Sequence, residues 1–373
     1  VGCLSSFMQW TNVSISHNYA RGSGGGSWFT FCAPVIQSSS WSKNTATLDG
    51  GGLYFGMMSH PRFIEPSWEN TQESYIVHNI AESGAGGGLY CFQCAGIELQ
   101  RVVFQENEAK RGAGGCLALE QTRLSTMKES RFSKCLAHEG GGAIYLYETQ
   151  KLSLVSVAFH HNAAGGGGGA ILWGFVLSEM TRLNDASVPL DLVDCKHDNN
   201  TAAYGSFVAS SAHSLFMLDG PTRDRANVLL HPSDTRDRLE SQASDWGHTR
   251  GGALLQFNGR YVTIGILDWY NHVVQSSSDK IKLTTSTNSS STASLLGTTE
   301  VSAVGGICVF DDLVVVAPPG THVGLQAGSS ITTLRRGPQL SVVTKICSLG
   351  KFFNAESPTK ECSSCNSGMY GDE

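Results

Sequence analysis

Phe104-Gln-Glu-Asn107-Glu-Ala109 followed by Gly114-Gly115-Cys-Leu-Ala-Leu, Phe132-Ser-Lys-Cys135-Leu-Ala137 followed by Gly141-Gly142-Ala-Ile-Tyr-Leu, and Phe159-His-His-Asn162-Ala-Ala164 followed by Gly168-Gly169-Ala-Ile-Leu-Trp173 are one phrase written three times. The second glycine of each pair stands at 115, 142 and 169, a period of 27 residues. A fixed period in that range marks a solenoid. The phrase extends upstream. Asn18 and Ala20 precede Gly25-Gly26, Asn44 and Ala46 precede Gly51-Gly52, and Asn79 and Ala81 precede Gly87-Gly88. Taken as the second member of each pair, Gly26, Gly52, Gly88, Gly115, Gly142 and Gly169 form the recurring set, with Asn18, Asn44, Asn79, Asn107 and Asn162 as its asparagine counterpart. Downstream the phrase blurs to Asn200-Thr-Ala202 with Gly205, and to the doublets Gly251-Gly252 and Gly305-Gly306.

Each unit holds short apolar runs such as Leu152 to Phe159 and Ala170 to Trp173, with β-branched residues and none of the i, i+3, i+4 spacing of a helix. A single unit cannot bury its own apolar face, so units must stack, each strand pairing with its equivalent one coil on. The expected fold is therefore all-β, a right-handed parallel β-helix with coils about 4.8 Å apart. In that fold the glycine pair supplies positive φ and close backbone approach. The asparagines stack as a ladder while tolerating the left-handed region, and the alanine two residues on points into a cramped interior. Cys135 stands where an asparagine belongs, so the ladder should break there.

Length and composition agree. The chain has 373 residues, of which 43 are glycine and only 16% are charged, which suits a repetitive β architecture better than a compact α/β enzyme. A net charge of −6 gives no basic footprint for nucleic acid. No apolar run is long enough for a membrane span, because Val301 to Pro319 is broken by Asp311-Asp312, Gly305-Gly306 and two prolines. The chain starts without a methionine or a leader, so it is expected to be internal to a longer precursor.

Eleven cysteines and three N-x-[ST] sequons, at Asn12, Asn199 and Asn288, point to the secretory pathway and an extracellular or cell-surface protein. Cys91-Phe-Gln-Cys94 lacks a thioredoxin-like surrounding and reads as structural. Cys3, Cys32, Cys116, Cys135, Cys195 and Cys308 could pair between coils or stay buried. The coils are expected to run over residues 1–346, with insertions near 57–75, 178–250 and 275–300. The second is charge-rich around Pro221 and Pro232, and the third is a serine- and threonine-rich loop carrying Asn288. Ile307 to Phe310, Leu313 to Ala317 and Leu340 to Ile346 read as the last coils.

The F-x-x-N-x-A phrase followed by G-G-[ALI]-[ILY], over roughly residues 10 to 310, resembles the repeat of the chlamydial polymorphic outer-membrane proteins, which also occurs in surface proteins of algae and protists. The resemblance implies a pectin-lyase-like, surface-exposed β-helix, often adhesive, although that family's membrane-barrel terminus is missing. Residues 347–373, with Cys347-Ser-Leu-Gly350-Lys-Phe and Cys362-Ser-Ser-Cys365-Asn-Ser-Gly368-Met-Tyr370, resemble the ephrin-receptor-like cysteine-rich repeat. That resemblance implies a small, incomplete disulfide-rich module in which Cys347 pairs with Cys362 and Cys365 pairs beyond Glu373.

Functionally, the reading favours a non-enzymatic structural protein, a segment of a fibre, sheath or flagellar-hair-like surface glycoprotein without a cofactor. Its partners would be copies of itself or other matrix and surface proteins, with glycans a further possibility. An adhesin binding glycan or protein through its loops is the alternative. Polysaccharide lyase or hydrolase chemistry would need carboxylates converging from neighbouring coils. The candidates are Asp191, Asp194 and Asp198 near Lys196 and His197, or Asp311 with Asp312, but the asparagine-aspartate, glycine-histidine-glycine and arginine-lysine motifs of the pectin-degrading families do not accompany them. His160 and His161 are adjacent on a strand and point to opposite faces, so they make a poor metal site, as does His138.

Overall fold

The structure, a computed structural model, describes residues 2–4, 7–64, 73–174, 188–218, 253–254, 256–257, 260–286, 293–316, 322–329, 339–343, 351–353 and 362–364. Every regular element among them is a β-strand. The chain divides into two compact units, Val1–Ser211 and Ala212–Glu373.

The first unit is a parallel β-solenoid. One coil shows the plan: Leu117–Glu120 lies in the first sheet, Leu124–Lys128 in the second, Arg131–Ser133 in the third and the two-residue Leu136–Ala137 in a fourth. The chain then returns to the first sheet at Ile144–Tyr147, directly beside Leu117–Glu120. All four sheets are parallel ladders of this kind. The apolar run from Leu152 to Phe159 is therefore two strands, Lys151–Val155 and Ala158–His160, split by a left-handed Ser156 at φ 55°.

Register locates the insertions. The coil-to-coil offset is 27 at Ile36↔Phe63 but 35 at Trp41↔Ile76, so the first insertion enters after Phe63 and before Ser74. The offset again rises from 27 at Leu146↔Trp173 to 38 at Leu154↔Leu192, placing the second between Gly174 and Leu190. The expected single excursion over 178–250 is thus wrong in part. Leu190–Val193, Lys196–Asp198 and Val208–Ser210 complete another coil inside it, with Asn200 and Gly205 in their usual places.

The glycines do two different jobs. Positive φ falls on Gly24, Gly50, Gly86, Gly114, Gly141, Gly168 and Gly205, where the chain turns from the fourth sheet back to the first. The next residue, in the column Gly25, Gly51, Gly87, Gly115, Gly142 and Gly169, is glycine because a Cβ would overlap the carbonyl oxygen of the residue stacked on it. Gly115, Gly142 and Gly169 therefore share a column as expected, but Gly26, Gly52 and Gly88 do not join them. Those three share the adjacent column with Cys116, Ala143 and Ala170, one residue later, because the first three coils carry a glycine triplet.

The asparagines form the ladder. Asn44 Oδ1 accepts the Asn18 amide (3.0 Å) and Nδ2 (2.9 Å), Asn79 does the same for Asn44 (3.0 and 3.1 Å), and Asn107 for Asn79 (2.9 and 3.0 Å). At Cys135 the series breaks, then resumes through Asn162 to Asn200. Left-handed geometry belongs to the residue before each asparagine, His17, Lys43, His78, Glu106, His161 and Asn199, and to Lys134 before Cys135. That corner residue turns the chain and leaves the asparagine side chain inside, where Asn44, Asn79, Asn107 and Asn162 are fully buried. Ala46, Ala81, Ala109 and Ala137 are buried two positions on.

Columns of like side chains fill the interior. In the third sheet Trp41, Ile76, Phe104, Phe132 and Phe159 follow one another, with Phe104 stacked on Phe132 (4.6 Å between centroids) and Phe132 on Phe159 (5.2 Å). Ile36, Phe63, Leu99, Met127 and Leu154 fill the second sheet's inner face, and Leu53, Leu89, Leu117, Ile144 and Ile171 the first sheet's. Phe29 stacks on Phe55 (4.8 Å). Cys91–Cys94 and Cys116–Cys135 are disulfides of this unit, and Cys32 is disulfide-bonded as well. The Cys116–Cys135 bridge fills the gap in the asparagine ladder.

The second unit differs from expectation. Among the described residues every strand pairing from Ser214 onward is antiparallel, so the coils do not continue to residue 346. Arg260–Leu267 pairs with Ser214–Leu218 and Ile307–Phe310. Lys280–Ser286 pairs with Glu300–Ser302 and His322–Ser329, which replaces much of the loop expected over 275–300. Its alternation explains this: Ile281 and Leu283 are buried between outward Lys280, Lys282 and Thr284. Gly305-Gly306 is a two-residue hairpin turn, with φ 59° and 75° and Val304 bridged to Ile307. It is not a coil doublet. Cys347, Cys365 and Asn288 lie outside the described residues, as do Gly251 and Gly252; Cys362 begins the strand Cys362–Ser364.

Candidate functional site

The catalytic candidates do not converge. Asp191 faces outward from the second sheet beside Ser153 (3.5 Å) and Lys151 (3.9 Å), while Asp198 is on the third sheet against His160. Asp194 sits at the left-handed corner between them, at φ 51°. Lys196 pairs in register with Ala158, and His197 takes the Phe159 column and stacks on Phe207 at 3.9 Å. Asp312 accepts the Thr298 amide (2.8 Å) and hydroxyl (2.9 Å), which holds its carboxyl below the usual range and fixes it as a turn anchor.

His161 turns a corner at φ 55° while His160 lies on the strand, so the two are directed apart. Asn12 and Asn199 occupy exposed left-handed corners, at φ 54° and 51°. Asn199 Nδ2 donates to Asp198 Oδ2 (3.0 Å). Two free thiols are seen among the described residues. Burial raises Cys195, and it pushes Cys308 up to about 11, so neither is poised as a nucleophile.

Chemistry gathers instead on the outer face of the first sheet. Strand alternation sends Leu53, Phe55 and their equivalents inward and leaves two outward columns. One reads Trp28, Tyr54, Tyr90, Ala118, Tyr145, Leu172; the other reads Thr30, Gly56, Phe92, Glu120, Tyr147, Gly174. Trp28 stacks on Tyr54 (6.4 Å) and Tyr54 on Tyr90 (5.6 Å), while Tyr145 and Tyr147 are near-parallel neighbours at 6.3 Å. The Tyr54 ring lies over Gly56, where a Cβ would come within 2.9 Å of it. Tyr90, Ala118 and Ala85 form a buried patch against which Tyr54, Phe92 and Tyr145 pack. An outward sheet face thus carries a second, partly open aromatic layer.

No family model, curated protein or solved structure matches this chain.

Carboxylates border the aromatic layer. Asp49, in the turn before Gly50, accepts the Ala85 amide at 2.9 Å, and Glu120 accepts the Tyr90 hydroxyl. Burial raises both acids above the usual carboxylate range, and their mutual repulsion raises Glu120 further. Burial is likewise the main cause that pushes Tyr54, Tyr90 and Tyr145 upward, followed by nearby acids. Gln93 donates to Gln121 (2.9 Å) and Gln121 to Glu148 (2.7 Å) along one border. Chemically, the face offers ring surfaces, phenol hydroxyls and anchored acceptors, a set suited to holding a ligand.

The sequence reading missed Trp28, Tyr54, Tyr90, Tyr145, Tyr147, Asp49 and Glu120, and the reason is register. Counted from Gly25, Gly51 and Gly87, the third residue on is Trp28, Tyr54 and Tyr90; counted from Gly26, Gly52 and Gly88 it is Phe29, Phe55 and Cys91, which point inward. A one-residue slip exchanges the faces of a strand.

Proposed function

We propose that this chain is a non-enzymatic extracellular scaffold protein, a segment of a large surface or filament-forming glycoprotein of the fibre, sheath or flagellar-hair kind, as its resemblance to the polymorphic outer-membrane-protein repeat suggests. The observation that carries the reading is how the polar side chains of the coils are used. The asparagines bond to the next coil, and several carboxylates outside the aromatic face meet a cation of a neighbouring coil, as in Arg62–Glu98 (2.7 Å), Arg101–Glu129 (2.8 Å) and Lys134–Glu106 (3.1 Å). Such groups hold coils together and leave little for chemistry. Disulfides in the solenoid are compatible with an extracellular location, and among the described residues no helix is long and apolar enough to cross a membrane. Asn12 and Asn199, at exposed corners, would carry glycans, as would Asn288; the terminal cysteines would form the ephrin-receptor-like module.

Adhesion to a glycan or protein is the second reading, favoured by the aromatic face of the first sheet. Negative-stain microscopy of the purified protein over a concentration series tests the pair. Ordered filaments support the scaffold. Dispersed particles that depolymerise polysaccharide, and lose that activity on replacing Asp194 or Asp311, would overturn both.

A further inference from the structure

Among the described residues the acids of the aromatic face, Asp49, Glu120 and Glu148, take part in no ion pair, whereas several acids elsewhere in the solenoid do. On the second and third sheets Glu98, Glu129, Glu106, Glu73 and Asp191 each lie within 4.0 Å of an arginine or lysine nitrogen. Around Tyr54, Tyr90, Tyr145 and Tyr147, every charged group of the described residues that perturbs the rings is an acid: Asp49, Glu120, Glu139 and Glu148. The aromatic layer is in turn the part of this surface where ring faces and phenols are packed against each other in register over successive coils. Aromatic faces and desolvated carboxylates attract the same kind of group, a cation that can lie over a ring while hydrogen-bonding to an acid.

From this complementarity we propose that the outer face of the first sheet, from Trp28 to Tyr147, is the docking surface for a lysine- or arginine-bearing extended segment of a partner protein. Glycan is the weaker fit. A neutral sugar leaves the repulsion among Asp49, Glu120 and Glu148 unrelieved, and an acidic one adds to it. The extent of the face favours a peptide over a lone amine. Trp28, Tyr54, Tyr90, Ala118 and Tyr145 stand on five successive coils. At about 4.8 Å per coil they span about 19 Å, the length of about six extended residues. Trp28 and Tyr54, the more open rings of the column, would take cations against them, with the buried Tyr90 holding Glu120 in place. Glu120, fixed by the Tyr90 hydroxyl, and Asp49, fixed by the Ala85 amide, would accept the cations' hydrogen bonds. The inference holds whether or not the chain assembles into filaments.

The test is fluorescence anisotropy with the whole chain and three labelled probes: a peptide of alternating lysine and alanine, the same peptide with glutamate for lysine, and a neutral β-linked oligosaccharide. The lysine peptide should bind and weaken with added salt, and the other two should not bind. Asp49→Asn combined with Glu120→Gln should weaken binding about tenfold or more, as should Tyr54→Ala. Glu129→Gln, which removes an acid already paired with Arg101 on another face, should leave it unchanged. Equal binding of the lysine and glutamate peptides, equal losses in the Glu120 and Glu129 variants, or binding of the oligosaccharide alone would overturn the proposal. Because Asp49→Asn and Glu120→Gln keep size and shape, their result stands even if Tyr54→Ala fails to fold. Filament formation is read separately by microscopy, so failure here leaves the scaffold reading intact and failure there leaves this one.

Discussion

Replacing Asn79 with leucine should be among the most damaging single changes in the solenoid, although leucine has nearly the same size and is apolar. Asn79 is fully buried. Its Oδ1 accepts the Asn44 amide and Nδ2, and its Nδ2 donates to Trp41 O (3.0 Å) and Asn107 Oδ1 (3.0 Å). Leucine strips those partners from the Asn44 N–H, one Asn44 Nδ2 proton and the Trp41 carbonyl, all inside the coil stack. Each buried group left unsatisfied costs about 1–3 kcal/mol, so the loss should reach about 3 kcal/mol or more. Asn18 provides the control, because it is exposed and its side chain donates to Asn44 and to Ser16 O (3.0 Å) where water can substitute. Asn18→Leu should cost about 1 kcal/mol or less. Urea denaturation followed by circular dichroism, with hydrogen exchange at the Asn44 amide as a local readout, measures both. Equal midpoints for the two variants, or undiminished protection at Asn44, would refute the claim that the ladder carries load between coils.

Phe132→Ala, in the middle of the Phe104–Phe132–Phe159 stack, should cost about 3–5 kcal/mol in the same denaturation experiment, whereas Phe7→Ala, 92% exposed, should be close to neutral. Replacing both Cys116 and Cys135 with alanine opens a cross-link of 19 residues and should cost about 3 kcal/mol. Opening Cys91–Cys94, only three residues apart, should cost less, as paired calorimetric scans would register. Glu120→Gln should stabilise the protein at neutral pH. Burial raises the folded-state pKa of Glu120, so the stability tied to its proton is complete below the unfolded carboxylate range and is lost as pH rises towards the folded value. The advantage of the glutamine variant should therefore vanish on acidification to about pH 3, and a pH series of midpoints that shows a constant gap would contradict it.

Much of the first unit could be read directly from its residues. Gly115, Gly142 and Gly169 recur because each stacks on a carbonyl of the next coil, and the asparagines recur because each closes the same turn. Those are local steric and hydrogen-bonding demands, repeated at a fixed interval, and they leave a period in the sequence. The second unit leaves none. Gly305-Gly306 looks like a coil doublet because a hairpin turn and a solenoid corner both select glycine, and only the pairing partner tells them apart. The Thr-rich segment Lys280–Ser286 was hidden for a related reason, since serine and threonine suit loops and edge strands alike. The aromatic face was concealed by register. Tyr54 and Tyr90 look like ordinary strand residues until a glycine triplet is aligned on its first two members, after which they move from the interior column to the outer one.

The most direct test of the whole account is a crystal structure of the chain, read at one column of atoms. The Cα atoms of Gly25, Gly51, Gly87, Gly115, Gly142 and Gly169 should follow one another at about 4.8 Å along one line, with Tyr54 and Tyr90 on the outer surface. A column in which Gly26, Gly52 and Gly88 replaced the first three, or any helix interrupting it, would contradict the register on which the fold, the ladder and the docking face all depend.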